Sequence, residues 1–555
     1  MKKRKVKLVI DGSLGWKYCC KDNISIWIRG YLIDSNVVEL RHKILRSSSC
    51  VETLPRGAIT NWLNVVRGHF AIIIETPFWV FLSVDKIRSI PLLYAEYDSS
   101  IVIGDSSAIS SISGECLNED NIDLDSSKEI AMSGYKMDGR SIYNKVHYLV
   151  AGECLFLDNN KTNLTKVKYY KYSPWNITNK TNKEFESELS SIMLTTISDM
   201  ADNLEGRQIV IPLSAGYDSR YIASALKHIG YDNVFCFSYG RSDNFEIRSA
   251  EKIAKKLNYP WEPILINSTE QKKIFSQNMF KDFLKYSNTL SSSPVLIDYN
   301  AVYSLHVNNR IDSNAVFING NAGDFITGGH IDSYFYNMDF YNIDFDQIIT
   351  NYIDKHYSLW ECLKTEENVS IVYNNISKII SDILHSNKLS NDALWSVMES
   401  IEWSGRQSSL VTMTQRSYEF FDYEWRLPLW DPIFMDFWEG VPLHLKKNQN
   451  MYANVLKNNN WGGVWDDIPI NQHSIKPLSL KITRLLLKAL IGSMGKEKWH
   501  KFDKRFFSYF IDTSVAASYT PYFDTVFDRC GARNRNSWIT RDNLERHKVK
   551  FNDLI

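Results

Sequence analysis

Residues 209–221, IVIPLSAGYDSRY, constrain the fold more than any other stretch, because a β-branched run stops at small residues and passes directly into a helical pattern. Ile209 to Leu213 is a short apolar run of the kind that forms a buried parallel strand. Beyond it Ile222, Ala225, Leu226 and Ile229 fall at i, i+3, i+4 and i+7, and Gly230 supplies a stop. The pattern predicts a strand over 208–213 and a helix over 219–229, then a strand over 234–238, a helix over 244–257 and a strand near 262–266. Repeated β-α-β units of this kind build a parallel sheet whose ligands sit beyond the carboxyl ends of the strands. The small-residue turn directs backbone N–H groups and the positive end of a helix at one spot, which suits a phosphate. Asp218 would repel a bare phosphate but could hold Mg²⁺ between itself and phosphate oxygens, although Asp is also a common helix cap. A second strand, in AVFINGNAGDFITGGH, runs into another Gly-rich turn with an acid, Asp324. Two such turns could hold one Mg-nucleotide between them.

The first 170 residues read differently. KVKLVID, ISIWIRGYLI, HFAIIIE, WVFLSVD, PLLYAEY, SIVIGD and GECLFLD are strand-like, while VVELRHKILR and ITNWLNVV resemble short helices. This pattern predicts an α+β sheet domain over 1–175, with the polar stretch 173–184 as a linker. A parallel-sheet domain over 184–480 follows, carrying a helical insertion near 331–420, and a helical extension over 481–555 completes the chain. At 555 residues, two or three domains are expected. The 64 basic and 64 acidic residues cancel, so no nucleic-acid-binding field is expected. The apolar stretch after the basic start is only Leu8 to Ile10, too short for a signal peptide or a membrane span. Eight scattered cysteines without a CxxC pair suggest reduced thiols and a cytoplasmic protein, neither disulfide-framed nor zinc-binding. None of the 12 histidines has metal-like spacing; His69 and His330 read as packing or loop residues. Homo-oligomerisation is left open.

Several motifs resemble one family. LSAGYDSR resembles the Ser-Gly-Gly-x-Asp-Ser pyrophosphate loop of the asparagine synthetases, and NGNAGDFITGG is similar to that family's second loop. EWRLPLWD, 424–431, resembles its Glu-x-Arg-x-Pro-Phe-Leu-Asp segment, and Lys476, 45 residues beyond Asp431, fits the place of its catalytic lysine. RGYLIDS, GHFAIIIE, VDKIRSIPLLY and AGECLFL match the N-terminal half in order. The resemblance implies an N-terminal degenerate Ntn-glutaminase-like sheet domain followed by an adenine-nucleotide α-hydrolase-like (PP-loop) domain. It implies ATP and Mg²⁺ as cofactors, with a carboxylate adenylated and then joined to an amine or ammonia. Ser214, Gly216, Asp218 and Ser219 would hold the pyrophosphate, Ser238 the adenosine, Asp218 and Asp324 the metal, and Asn321 and Gly323 the substrate loop. Lys476 would stabilise negative charge during acyl transfer.

The departures from the family are informative. Lys2 follows Met1 where glutamine-hydrolysing members expose a Cys, and Arg29 and Tyr31 replace the Asn and Glu of the glutamine motif. In this the chain resembles the β-lactam synthetase and lasso-peptide cyclase branch. The expectation is therefore an amide-forming ligase without its own glutaminase, acting on a small-molecule or peptide carboxylate and amine, with no nucleic-acid or membrane partner. Ala215 replaces a loop glycine, and Asn321 stands where the family often has Glu or Tyr. Both substitutions favour a rival reading, a nucleotide-binding pseudoenzyme. Glutamine-dependent asparagine synthesis is a third reading. Glu424 and Arg426 read as a structural ion pair.

Overall fold

The computed structural model describes residues 5–10, 15–33, 39–40, 42, 55–97, 100–105, 117–158, 164–240, 245–265, 267–338, 343–470, 478–511 and 518–555. Fifteen strands form three sheets among these residues. The first sheet has four strands in the order β1 (Lys5–Val9), β7 (Ser100–Gly104), β6 (Leu93–Tyr97) and β8 (Val146–Tyr148). The second runs β10 (Leu164–Lys168), β9 (Glu153–Asp158), β5 (Trp79–Val84), β4 (Gly68–Glu75), β3 (Ile24–Leu32) and β2 (Lys17–Lys21). All pairs are antiparallel except β1 with β7.

These two sheets explain the unbroken apolar run of β4. Ile73 faces a core shared with Val80, Leu82, Tyr94, Ile101 and Ile103, which fills the space between the sheets. Phe70, Ile72 and Ile74 point the other way, onto Trp62 and Leu63 of the helix Arg56–Val65. Since successive residues of a strand alternate faces, a strand covered on both sides is apolar throughout. The helix-like stretch VVELRHKILR lies largely outside the described residues.

The third sheet is parallel throughout, in the order β13 (Trp261–Leu265), β12 (Val234–Gly240), β11 (Ile209–Pro212), β14 (Val316–Ile318) and β15 (Glu424–Arg426). The molecule is thus α/β in its second half, after an α+β sheet region. The helix Asp218–His228 buries Tyr221, Ile222, Ala225 and Leu226, and the helix Phe245–Leu257 buries Ile247, Ala250, Ile253, Ala254 and Leu257. At about 25 cal/mol per Å² of apolar surface removed from water, such stripes hold both helices to the sheet. Within 331–420 the main helices are Phe345–His356, Glu366–Asn387 and Leu394–Glu402.

The sheet regions are joined by charge as well as by apolar packing. Arg67, just before β4, grips Asp431 with Nε at 3.1 Å and Nη2 at 3.0 Å, and reaches Asp199 with Nη1 at 2.6 Å. Asp431 also caps the helix Pro432–Glu439 by accepting from the Ile433 amide. Glu424 and Arg426 do pair, at 3.1 Å, and Arg207 joins Glu424 at 3.1 Å.

Candidate functional site

Because β12, β11 and β14 are parallel neighbours, the turns that follow them emerge at one edge of the sheet. The turn after β11 is closed by its own small side chains. The Ser214 amide donates to Ser219 Oγ at 2.9 Å, the two hydroxyl oxygens lie 3.0 Å apart, and the Gly216 amide donates to Ser214 Oγ at 3.2 Å. Ala215 is buried and does not have a positive φ, so no glycine is required there. That removes the backbone objection raised by the sequence. Ser238, at the end of β12, is buried; its hydroxyl donates to the Leu213 carbonyl at 2.7 Å and accepts from Trp261 Nε1 at 3.0 Å.

Arg220 anchors this turn from behind. Its guanidinium is buried and donates to the carbonyls of Ala215 and Ile468, each at 2.8 Å, and more weakly to Val464 and Pro469. Tyr217 stacks on Trp465 with centroids 6.3 Å apart. Residues 464–469 are thereby held against the turn. Lys476 lies shortly beyond them, outside the described residues.

The turn after β14 packs its backbone directly on Asp218. A Cβ at Gly320 would lie 2.5 Å from Asp218 Cβ, and one at Gly323 would lie 2.2 Å from Asp218 Cγ and Oδ1. Both positions must therefore be glycine for the two turns to meet. The strain sits between them, at Ala322, whose φ is +70°. The Asn321 amide donates to Asn319 Oδ1 at 3.1 Å, and Asn319 Nδ2 donates to the Tyr418 hydroxyl at 3.1 Å.

This packing brings two carboxylates together. Burial and the neighbouring Asp324 charge push Asp218 up to about 8, opposed by the Tyr452 hydroxyl and the Asp324 amide. Asp218 Oδ1 is buried and has no hydrogen-bond partner. Asp324 is exposed; although partial burial raises it, the His330 ring at 3.0 Å holds its carboxyl below the usual range. A carboxylate pair with an orphaned oxygen is a donor set suited to a hard divalent cation. Among the described residues no group of three or more His, Cys, Asp and Glu gathers as a metal site.

His330, expected to be a packing or loop residue, does lie in a turn and packs edge-on against Phe325 at 5.9 Å, and it also bridges two carboxylates. Its Nε2 meets Asp324 and its Nδ1 meets Glu402 Oε1 at 2.5 Å. Against burial, which lowers it, these carboxylates raise the imidazole to about 9, so it is charged at neutral pH. Glu402 is buried yet held well below the usual range, because His330, His356 at 3.4 Å and Lys355 at 3.5 Å surround it. The sequence carried one overlooked signal: Glu399 and Glu402 lie three apart in the helix Leu394–Glu402, whose other residues are apolar or serine, and buried acids need partners.

The family comparison agrees with this geometry. Residues 205–459, from the start of the parallel sheet to the end of the helix Asn450–Asn459, match the family described as asparagine synthase. Over these residues the chain is similar to the asparagine synthase family.

No curated protein matches this asparagine synthase-like chain. Among solved structures, it is similar to the allosteric regulatory enzyme of purine biosynthesis, at 12% identity over 44% of this chain and 60% of that one, with a TM-score of 0.19. It is similar to the B. subtilis glutamine phosphoribosylpyrophosphate amidotransferase complexed with ADP and GMP at 12% identity, over 54% of this chain and 62% of that one. For the NMN synthetase from Francisella tularensis the identity is 16%, over 40% and 93%. The last two TM-scores are also 0.19, and the assignment rests on none of these likenesses. The chain spans less than two thirds of the length of the first two. Among the described residues no helix is long and apolar enough to cross a membrane.

Proposed function

We propose that the protein is an ATP-dependent amide-forming ligase that adenylates a substrate carboxylate and passes the acyl group to an amine, without hydrolysing glutamine itself. A carboxylate oxygen attacks the α-phosphorus of ATP and pyrophosphate leaves; the amine nitrogen then attacks the acyl carbon, AMP leaves and the nitrogen loses a proton. The observation that carries this reading is the meeting of Asp218 and Asp324 on adjacent Gly-rich turns. Asp218 and Asp324 would hold Mg²⁺, which would neutralise charge on the departing pyrophosphate. The turn Ser214–Ser219, already closed by its own hydroxyls, would present its small residues to the pyrophosphate with little reorganisation. His330, positively charged and clamped by Glu402, keeps Asp324 ionised and orients it. Ser238, at the adjacent strand end, would meet the adenosine, and Lys476 would meet the developing negative charge on the acyl group.

The glutaminase part of the proposal draws on Arg29 and Tyr31. Arg29 is buried and donates to the Tyr286 hydroxyl at 2.8 Å while pairing with Glu419. Tyr31 is 2.6 Å from His69 Nδ1 and lies under the Arg426 guanidinium at 4.0 Å. Both side chains are engaged in packing the two halves together. A cytoplasmic location accords with thiols that are free among the described cysteines.

The test is AMP and pyrophosphate formation from Mg-ATP with a small-metabolite extract of the source cells, comparing wild type and Asp218→Asn. AMP formed by the wild type alone, and only with extract, is the expected result. ATP binding without AMP would favour the second reading, a nucleotide-binding pseudoenzyme. That reading has one specific support, since Asn321 stands in the substrate loop and cannot act as a base.

A further inference from the structure

Outside the asparagine synthase match, the helix Leu478–Gly492 carries apolar residues on two faces. One face packs on the molecule. Leu480, Leu487 and Ile491 are half-buried there, and among them Arg484 Nη2 donates to Asp503 Oδ2 of the helix Lys496–Phe506 at 2.8 Å, its guanidinium 5.6 Å from the Trp499 ring. The other face is open to solvent. Ile482, Leu485, Leu486 and Leu490 fall at i, i+3, i+4 and i+8, so they line one side of the helix, and each is between 49% and 68% exposed. Met494, just past the helix, is exposed as well.

A contiguous exposed stripe of this kind marks an interaction surface, and its surroundings indicate the partner. Lys481 and Lys488, both exposed and seven residues apart, flank the stripe on one side. Between Asp467 and Glu497 the chain has no acidic residue. Beside the stripe, Thr483 turns its hydroxyl back onto the Ser479 carbonyl at 2.9 Å, so it directs no hydrogen bond outward. Aliphatic groups of this kind suit a fluid apolar partner, and the lysine flank suits a negatively charged one. A second copy of this helix would bring further lysines to the stripe and no acid to meet them.

We propose that the helix Leu478–Gly492 docks the protein on an anionic lipid surface. The helix lies in the plane of the interface, with Ile482, Leu485, Leu486 and Leu490 among the acyl chains and Lys481 and Lys488 at the headgroups. This departs from the expectation of no membrane partner, because docking on a surface needs no spanning segment. It is independent of the ligase reading, since none of these residues belongs to the Asp218–Asp324 centre.

The experiment is flotation of the whole protein with extruded vesicles of equimolar phosphatidylglycerol and phosphatidylcholine, and with vesicles of phosphatidylcholine alone. Wild type is compared with Leu486→Asn/Leu490→Asn and with Lys481→Glu/Lys488→Glu, all at exposed positions. Hydrogen exchange of residues 478–494 is followed in parallel. The wild type should float with the anionic vesicles, bind neutral ones at least tenfold more weakly, and lose binding as salt is raised. Each double variant should bind the anionic vesicles at least tenfold more weakly, and vesicles should protect residues 478–494 in the wild type only. Absence of flotation by the wild type would overturn the proposal, as would equal flotation by either variant. A wild type that sediments as a dimer and a Leu486→Asn/Leu490→Asn variant that sediments as a monomer would also overturn it, by giving the stripe to a second copy of the chain.

Discussion

At the scale of single residues, the site turns on how closely Gly323 approaches Asp218. A methyl group there would fall 2.2 Å from the carboxylate carbon, so Gly323→Ala must displace either the turn or Asp218. Overpacking of this kind costs about 2 kcal/mol, which corresponds to a roughly thirtyfold loss of Mg-ATP affinity if the cost falls on the site. Gly57→Ala is the control, because a Cβ there meets nothing within 4 Å. Equal nucleotide affinity in both variants would show that the two turns do not act together. Ala322 is the complementary position: its φ of +70° is one that glycine adopts freely, so strain is already stored beside the carboxylate pair.

At the scale of elements, Arg220 couples the turn after β11 to residues 464–469. Replacing it with Met leaves the carbonyls of Ala215 and Ile468 without their buried donors. The expected cost is about 3 kcal/mol, read as a lower urea midpoint at unchanged slope, together with weaker nucleotide binding. If stability fell while nucleotide affinity stayed at the wild-type value, Arg220 would be structural only. Much of this architecture was legible in the sequence. The strands and helices from 209 to 265 show their periodicity over five or more residues, so their boundaries shift by only one or two positions. The strands β8, β14 and β15 have three residues each, too few to show a period, and only β14 stood out, through its Gly-rich turn. Asp218 and Asp324 were legible for the same reason, each following a strand and a small-residue turn. The clamp of His330 by Glu402 was not, because 72 residues separate the partners and tertiary packing alone brings them together.

At the scale of the whole molecule, the N-terminal sheets meet the synthase domain through a hydrogen-bonded relay. The Tyr31 hydroxyl lies 2.6 Å from His69 Nδ1, the His69 ring also bonds the Trp430 backbone, and the Leu427 amide donates to the Tyr31 hydroxyl at 3.3 Å. Burial, and to a lesser degree the nearby Arg426 charge, lower His69 from 6.5 to about 3. The unfolded chain therefore takes up a proton at His69 near pH 6.5, while the folded protein does not until near pH 3. The stability due to neutral His69 is present in full above pH 6.5 and is lost as the pH falls toward 3. The loss is about 2 kcal/mol by pH 5. Urea unfolding at pH 7.5 and pH 5 should show it, and His69→Gln should reduce the difference. An equal pH dependence in the variant would place the acid sensitivity elsewhere.

The central claim is that two turns, one after β11 and one after β14, form a single metal–nucleotide site. Calorimetric titration with ATP tests it most directly, using the wild type, Asp218→Asn and Asp324→Asn, each with and without Mg²⁺. The account predicts that wild-type binding depends on Mg²⁺ and that each substitution weakens it at least tenfold. Binding that is independent of Mg²⁺ and equal in all three proteins would contradict it.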